Sequence, residues 1–147
     1  MESFFHVGKT ELARQTRQII RAAQRGQTII IENHGQPEVA IIDIVDYHIL
    51  RALAHYHARP SQLNKAKKLS DEVVKDLSSM QDRFDLVLAY YLSEEISLGR
   101  VAELLGIPWL DLRTRFLRLD VPLRSAPNDL NGTQLDVDNI NSWFENR

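Results

Sequence analysis

Four arginines between positions 14 and 25 form the pattern in this sequence that is most suited to binding chemistry. Arg14, Arg17, Arg21 and Arg25 are three or four residues apart, which places them along one broad face of a helix. A guanidinium group is permanently charged and can hydrogen-bond phosphate or guanine through two N–H groups at once. This face predicts contact with a polyanion, although the same arginines would also be stable as a solvated helix surface.

A lysine at the start of the same helix extends this candidate site. Lys9 immediately precedes Thr10, whose side chain suits the N-cap of a helix running from Glu11 to about Arg25. Unpaired backbone N–H groups at the first turn of a helix attract phosphate. Lys9 is therefore a further candidate for contact with nucleic acid.

Residues suited to catalysis or metal binding do not form a recognisable arrangement. The sequence has no cysteine, and no two of its five histidines are three or four residues apart. Acidic pairs such as Glu94–Glu95 have no histidine or nucleophile beside them, and the sequence contains neither a glycine-rich phosphate loop nor a nucleophile elbow. We therefore expect a binding protein and not an enzyme, without catalytic residues, metal ligands or a cofactor.

Composition and charge restrict the class of protein further. The 147 residues carry a formal net charge of −2, so any nucleic-acid binding must come from a local basic patch. No apolar stretch approaches the ~20 residues that a membrane span needs, and no signal peptide opens the chain. These features predict a cytoplasmic protein that does not enter membranes.

The segment from Gln27 to Asp43 has the pattern of a β-hairpin. Two apolar, β-branched runs flank residues 33–36, Asn-His-Gly-Gln, which are typical of a tight turn. A helix precedes the hairpin, and a second helix, capped by Asp43 or Asp46, is predicted to run to about Ala54. Because so small an α/β unit cannot bury both of its faces alone, the pattern predicts a dimer.

The second half of the chain is predicted to be helical after a linker at residues 56–70. One long helix is expected from Asp71 to Glu95, and Ile96–Asp120 then has the pattern of two short helices joined by a turn at Gly106. The second short helix is predicted to expose residues that suit the major groove of DNA. These residues are Arg113, Thr114 and Arg118, with Arg115 beside them.

The last part of the chain is acidic, because residues 126–147 contain four acidic side chains and one basic side chain. Asn131-Gly132 predicts a turn, and a closing helix is expected from Asp138 to Glu145; together they suggest a winged variant of the helix-turn-helix. Four side chains of this segment are candidates for contact with a basic protein partner. They are Asp136, Asp138, Trp143 and Phe144.

Several short motifs between Val7 and about Leu53 resemble the Phd/YefM antitoxin family. They are Thr10-Glu11-Leu12-Ala13-Arg14-Gln15, the apolar strand, His34-Gly35-Gln36-Pro37, and Asp46-Tyr47 with Leu50. The resemblance implies a homodimer that binds its own operator and neutralises a toxin encoded beside it. It also implies that Arg14 contacts DNA. Asn33 stands where the family usually has a second such arginine, and its amide can still hydrogen-bond a base edge or a phosphate.

Residues from about Asp82 to Pro122 resemble a second family, the small helix-turn-helix antitoxins often paired with PIN-domain ribonucleases. The matching stretches are Leu88-Ala89-Tyr90-Tyr91 and Ile96-Ser97-Leu98-Gly99-Arg100-Val101-Ala102-Glu103-Leu104-Leu105-Gly106-Ile107. A domain that looks folded thus stands where a Phd/YefM antitoxin normally has a disordered, toxin-binding tail.

Together these features predict an α+β protein of two domains that forms a dimer or a higher oligomer. Residues 1–55 would be a Phd/YefM-like helix–hairpin–helix domain for dimerisation and DNA binding, and residues 71–147 a helix-turn-helix domain with an acidic tail. The expected function is that of a type II antitoxin, which neutralises a PIN-domain ribonuclease or another small toxin and represses its operon at operator DNA. Two alternatives stay open: a dimeric repressor without a toxin, and a protein-interaction adaptor that does not touch DNA.

Overall fold

The computed structural model describes residues 4–59 and 68–123 of the chain. Within these residues the structure is mixed, with helices and one sheet, which confirms the predicted α+β class. The chain divides into two compact units, residues 1–47 and 48–147, here called unit 1 and unit 2. The boundary predicted after residue 55 lies within a helix, most of which belongs to unit 2.

Unit 1 is built on a three-stranded sheet in the order β1-β2-β3. β1 (Phe4–Gly8) pairs in parallel with β2 (Thr28–Asn33), and β3 (Gln36–Ile41) pairs with β2 in the antiparallel direction. Two helices, α1 (Lys9–Arg14) and α2 (Thr16–Gln24), connect β1 to β2. The parallel pairing requires such a crossover, because a tight turn can join only antiparallel strands.

The core of unit 1 forms between α2 and one face of the sheet. Ile29 and Ile31 lie on the same face of β2, as the two-residue period of a strand dictates, and both are buried. Ile19 and Ala23, one helical turn apart on α2, join them in one apolar cluster together with Val7 of β1. Removing these side chains from water is the main favourable contribution to the stability of this unit.

The single helix predicted from Glu11 to about Arg25 is wrong, because the structure divides it at Gln15. Gln15 has φ −120° and ψ 30°, outside the helical region. The Thr16 hydroxyl donates a hydrogen bond to the Leu12 carbonyl at 2.6 Å, and back-bonds of this kind bend helices. The division therefore has a local cause, which is a polar side chain competing for the helix backbone.

The two ends of this helical segment differ in how well they were predicted. Lys9 is already helical and Gly8 is the N-cap, so the prediction of Thr10 as the N-cap is wrong. The predicted end near Arg25, by contrast, is confirmed: α2 ends at Gln24, and Gly26 lies just beyond it with φ 100° and its N–H bonded to the Ala23 carbonyl at 3.0 Å. Glycine is favoured there because it adopts the left-handed conformation without strain.

The predicted tight turn between β2 and β3 is confirmed. His34 and Gly35 have φ values of 52° and 75°, and they connect the paired residues Asn33 and Gln36. Two consecutive positive φ values are the pattern of a type I′ turn, whose twist matches that of the flanking strands.

A β-bulge follows the turn in β3. Glu32 pairs with Pro37 and Ile31 pairs with Val39, so Glu38 has no partner residue in β2. Proline is tolerated at this place because β3 is an edge strand of the sheet. The bulge sets the direction of the Glu38 side chain, which contacts Lys9.

The helix after the hairpin, α3 (Ile44–Ala58), is longer than predicted. An Asp43 oxygen accepts the Val45 N–H at 3.1 Å, which confirms Asp43 as the cap. The helix was expected to end near Ala54, but it continues to Ala58 and so enters the segment 56–70 that was predicted as a linker.

Unit 2 contains four further helices in the described part of the chain. They are α4 (Asp71–Lys75), α5 (Met80–Leu92), α6 (Leu98–Leu105) and α7 (Trp109–Arg118). The single helix predicted over Asp71–Glu95 is wrong, because α4 ends at Lys75 and the Ser79 hydroxyl caps a new helix by accepting a backbone N–H at 3.0 Å. Arg83 stabilises the break by donating to the carbonyls of Lys75 and Leu77 at 3.1 and 3.3 Å.

The two short helices predicted within Ile96–Asp120 are confirmed as α6 and α7. The Ser97 hydroxyl caps α6 by accepting a backbone N–H at 3.2 Å, and Gly106 has φ 66° at the turn. Leu112 and Phe116, one turn apart on α7, are fully buried, as expected for the apolar face of this helix.

The core of unit 2 includes side chains of α5, α6 and α7. The ring centroid of Tyr91 lies 5.4 Å from that of Phe116, and the Tyr91 hydroxyl donates to the Pro122 carbonyl at 2.5 Å. This bond attaches the segment after α7 to the core. The turn and helix predicted within residues 124–147 lie outside the described residues. In the ranges that the structure describes, no helix is long and apolar enough to cross a membrane.

Candidate nucleic-acid interface

The four arginines identified in the sequence are all exposed in unit 1. Arg14 ends α1, Arg17 and Arg21 are one turn apart on α2, and Arg25 is the C-cap of α2. We call these four residues the arginine surface. Among the residues that the structure describes, no carboxylate forms an ion pair with any of them.

The charge of the arginine surface is therefore unbalanced. Residues 9–25 contain five basic side chains and a single acidic one, Glu11. Arg17 and Arg21 are like charges four residues apart, an arrangement that costs a helix about 0.2–0.5 kcal/mol. A bound polyanion would remove this repulsion and would release the counterions that both surfaces carry. The arginine surface thus has the electrostatic character of a phosphate-binding surface.

The other two candidates of unit 1, Lys9 and Asn33, are brought together by Glu38. Lys9 Nζ lies 2.9 Å from Glu38 Oε2, and the Asn33 side chain donates a hydrogen bond to the same carboxylate. The hydrogen bonds from Lys9 and then Asn33 lower the pKa of Glu38 from its ordinary value of 4.5, and desolvation opposes them. We call these three residues the Glu38 cluster.

Sequence reasoning missed Glu38 altogether. Lys9 and Glu38 are 29 positions apart, and their contact depends on the strand pairing and on the bulge in β3. The one local signal was Pro37, because proline inside a strand often marks a bulge or an edge. That signal indicates an irregular backbone but not the direction of the next side chain.

In unit 2, the three candidates on α7 have different environments. Arg113 and Arg118 are half-buried, and Arg118 already has an interaction partner. Thr114 is exposed, and its hydroxyl donates to the Leu110 carbonyl at 2.8 Å, which leaves the oxygen able to accept. Arg115, expected to be exposed, has only 12% of its side chain exposed, and its Nε lies 3.1 Å from an Asp111 oxygen.

The outward surface of α7 is more apolar than its predicted role suggests. Leu110 and Leu117 are each nearly half exposed, and Asp111 is exposed as well. An aspartate disfavours phosphate, and exposed leucines gain most from contact with another apolar surface. α7 therefore offers mixed chemistry for contact with nucleic acid, whereas the arginine surface is uniformly basic.

The remaining predicted residues fall elsewhere. Asp136, Asp138, Trp143 and Phe144 lie outside the described residues. In the part of the chain that is described, no three histidine, aspartate or glutamate side chains are grouped so that they could hold a metal ion. His6 is bonded to Glu32 at 2.5 Å and His48 to Gln81 at 2.6 Å.

Comparisons with known proteins do not identify a relative. No protein-family model, curated protein or solved structure matches this chain.

Proposed function

We propose that this protein is a dimeric, DNA-binding antitoxin that represses its own operon and neutralises a protein toxin. The observation that carries this proposal is the arginine surface, whose four exposed guanidinium groups have no carboxylate partner within the described residues. Arginine is well suited to phosphate and to guanine because its planar group donates two parallel hydrogen bonds. Arg14 is also the residue that the Phd/YefM resemblance assigns to DNA.

Dimerisation would place two arginine surfaces on one DNA duplex. A twofold dimer presents identical patches to the two half-sites of a palindromic operator. The exposed Val39 on edge strand β3 supports association through this part of unit 1. In this proposal Lys9 and Asn33 contribute less than the arginine surface, because both are already bonded to Glu38.

Unit 2 has two possible roles within this proposal. Arg113, Thr114 and Arg118 support α7 as a second DNA-contacting element, joined to α6 as in a helix-turn-helix. The exposed Leu110 and Leu117 favour contact with a protein instead. This second observation supports the adaptor as a second candidate function, in which neither unit binds DNA.

Charge reversal distinguishes these possibilities. The test uses a labelled duplex taken from the DNA upstream of the coding sequence and measures binding by fluorescence anisotropy. R17E/R21E is expected to weaken binding at least about tenfold, since two phosphate contacts are lost and two repulsions gained. R51E/R59E is the matched control, because it makes the same change in net charge at exposed arginines of α3 and its end.

Three outcomes separate the candidates. Loss of binding in R17E/R21E, with the control within about twofold of wild type, supports the arginine surface. Loss of binding in R113E/R118E, with R17E/R21E still binding as wild type, would assign DNA binding to α7. Absence of salt-dependent binding by the wild-type protein would contradict a DNA-binding function and leave the adaptor.

An antitoxin binds its toxin, so the proposal predicts a protein partner. Co-expression of the tagged protein with the products of its neighbouring genes is expected to recover a stoichiometric small protein whose expression alone stops growth. A truncation after residue 125 removes Asp136, Asp138, Trp143 and Phe144. If the truncated protein still neutralised the toxin, those four residues would not be the toxin-binding site.

A further inference from the structure

The Glu38 cluster joins three elements of unit 1 at one surface position. Lys9 is the first residue of α1, Asn33 is the last residue of β2, and Glu38 is the bulged residue of β3. Both Lys9 and Asn33 direct their donors to the Glu38 carboxylate. The two groups that could hydrogen-bond a phosphate here are thus already bound to an anion of the protein itself.

This ion pair is unlike a stabilising core interaction. The side chains of Lys9 and Glu38 are 57% and 40% exposed, and ion pairs at such exposure contribute little to folding. Their effect on an approaching polyanion is larger, because a phosphate would have to displace Glu38 from Lys9 and then lie beside its negative charge. The main consequence of Glu38 is therefore expected in binding, and its effect on stability is expected to be small and to depend on pH.

We propose that Glu38 is a negative determinant of nucleic-acid binding, which occupies Lys9 and Asn33 and so confines the phosphate contacts of unit 1 to the arginine surface. This inference rests on the proposed DNA-binding function. Lys9 and Arg14 are separated by about 8 Å along α1, close to the distance over which salt screens charge in the cell. Glu38 thus acts chiefly on Lys9 and only weakly on the nearest arginine.

The test is a salt titration of DNA binding by E38Q. Glutamine keeps the size of the side chain and can still accept from Asn33, but it does not hold Lys9 by charge. We expect E38Q to bind the upstream duplex about 3- to 10-fold more tightly at low salt. The dependence of log K on log salt should become steeper by about 0.9 for each Lys9 that gains a phosphate.

Two controls separate this local effect from a change in net charge. E11Q also removes one negative charge, but at a residue of α1 that does not contact Lys9 in the described structure. It is expected to change the affinity for the duplex by less than about twofold. In K9Q/E38Q the gain in affinity and in slope should disappear, because the lysine that Glu38 would release is no longer present. Circular dichroism of each variant is the check that it is folded.

The outcomes that overturn the inference are distinct. It is wrong if E38Q binds no more tightly than E11Q, if E38Q binds more weakly than wild type, or if the gain persists in K9Q/E38Q. Any of these results, with R17E/R21E still impaired, rejects the role of Glu38 and keeps the proposed function. Absence of duplex binding by the wild type and by E38Q rejects both.

Discussion

Val39 lies directly opposite Ile31 in the β2–β3 pair, yet 56% of Val39 is exposed and only 3% of Ile31. Residues opposite each other in an antiparallel pair point to the same face of the sheet. The apolar cluster of unit 1 therefore covers β2 but leaves this part of β3 open. An exposed apolar residue on an edge strand is a common site of association with another chain.

The first prediction is that Val39→Asp prevents dimerisation without unfolding unit 1. Burying a carboxylate in an apolar interface should raise the dimer dissociation constant on the order of 100-fold. Sedimentation equilibrium measures this constant. Val73→Asp is the matched control, since Val73 is a similarly exposed valine in unit 2 and lies in the first turn of α4, where aspartate is well tolerated. A dimeric V39D protein would contradict the prediction.

The second prediction concerns two neighbours on α7. Phe116 is fully buried against Tyr91, whereas Leu117 is nearly half exposed. Phe116→Ala should lower the free energy of unfolding by about 3–5 kcal/mol, and Leu117→Ala should change it by less than about 0.5 kcal/mol. Urea denaturation followed by circular dichroism measures both. Similar losses in the two variants would mean that α7 is rotated from its position in this structure.

The third prediction concerns the left-handed residues that end α6 and α7. Gly106 has φ 66°, and a Cβ atom there would meet no atom within 4 Å, so the cost of Gly106→Ala is backbone strain alone, about 1 kcal/mol. Gly106→Asn should cost less, because asparagine tolerates this conformation. Asp120 has φ 58°, so Asp120→Gly should be neutral or slightly stabilising. Urea midpoints that rise from G106A to G106N to wild type would agree with this prediction. Midpoints that fall in that order would contradict it.

The fourth prediction is a pH dependence at Glu38. The folded state lowers the pKa of this carboxyl, so its ionised form stabilises the folded protein above pH 4.5, the ordinary value. That contribution is lost as the pH falls through the lowered pKa. The difference in unfolding free energy between wild type and E38Q should therefore shrink as the pH falls from 7 towards 3, and less so when both proteins also carry K9Q. A difference that does not vary with pH would refute the lowered pKa.

Local sequence signals predicted those features that depend on neighbouring residues. The turn at residues 33–36, the cap at Asp43 and the turn glycine at position 106 were all predicted and all confirmed. Each depends on hydrogen bonds or φ values within a few residues.

The errors arose where a weaker local signal interrupted a longer pattern. The helix over Glu11–Arg25 breaks because the Thr16 hydroxyl competes for the Leu12 carbonyl, and the helix over Asp71–Glu95 breaks where Ser79 caps a new start. The apolar periodicity continues across both breaks. It indicates which side chains face a core, but it does not indicate whether the helix is continuous.

The candidate site also has a part that the sequence predicted and a part that only the tertiary structure decided. The spacing of the sequence determined that Arg17 and Arg21 share one face of α2, because residues four apart on a helix are neighbours, whereas Arg14 belongs to α1 across the break at Gln15. Only the tertiary structure decided that Glu38 would meet Lys9 and Asn33, and that Val39 would stay open while Ile31 is buried. Both outcomes depend on the register of β3 against β2, and a single bulged residue changes which side chains meet across that pair.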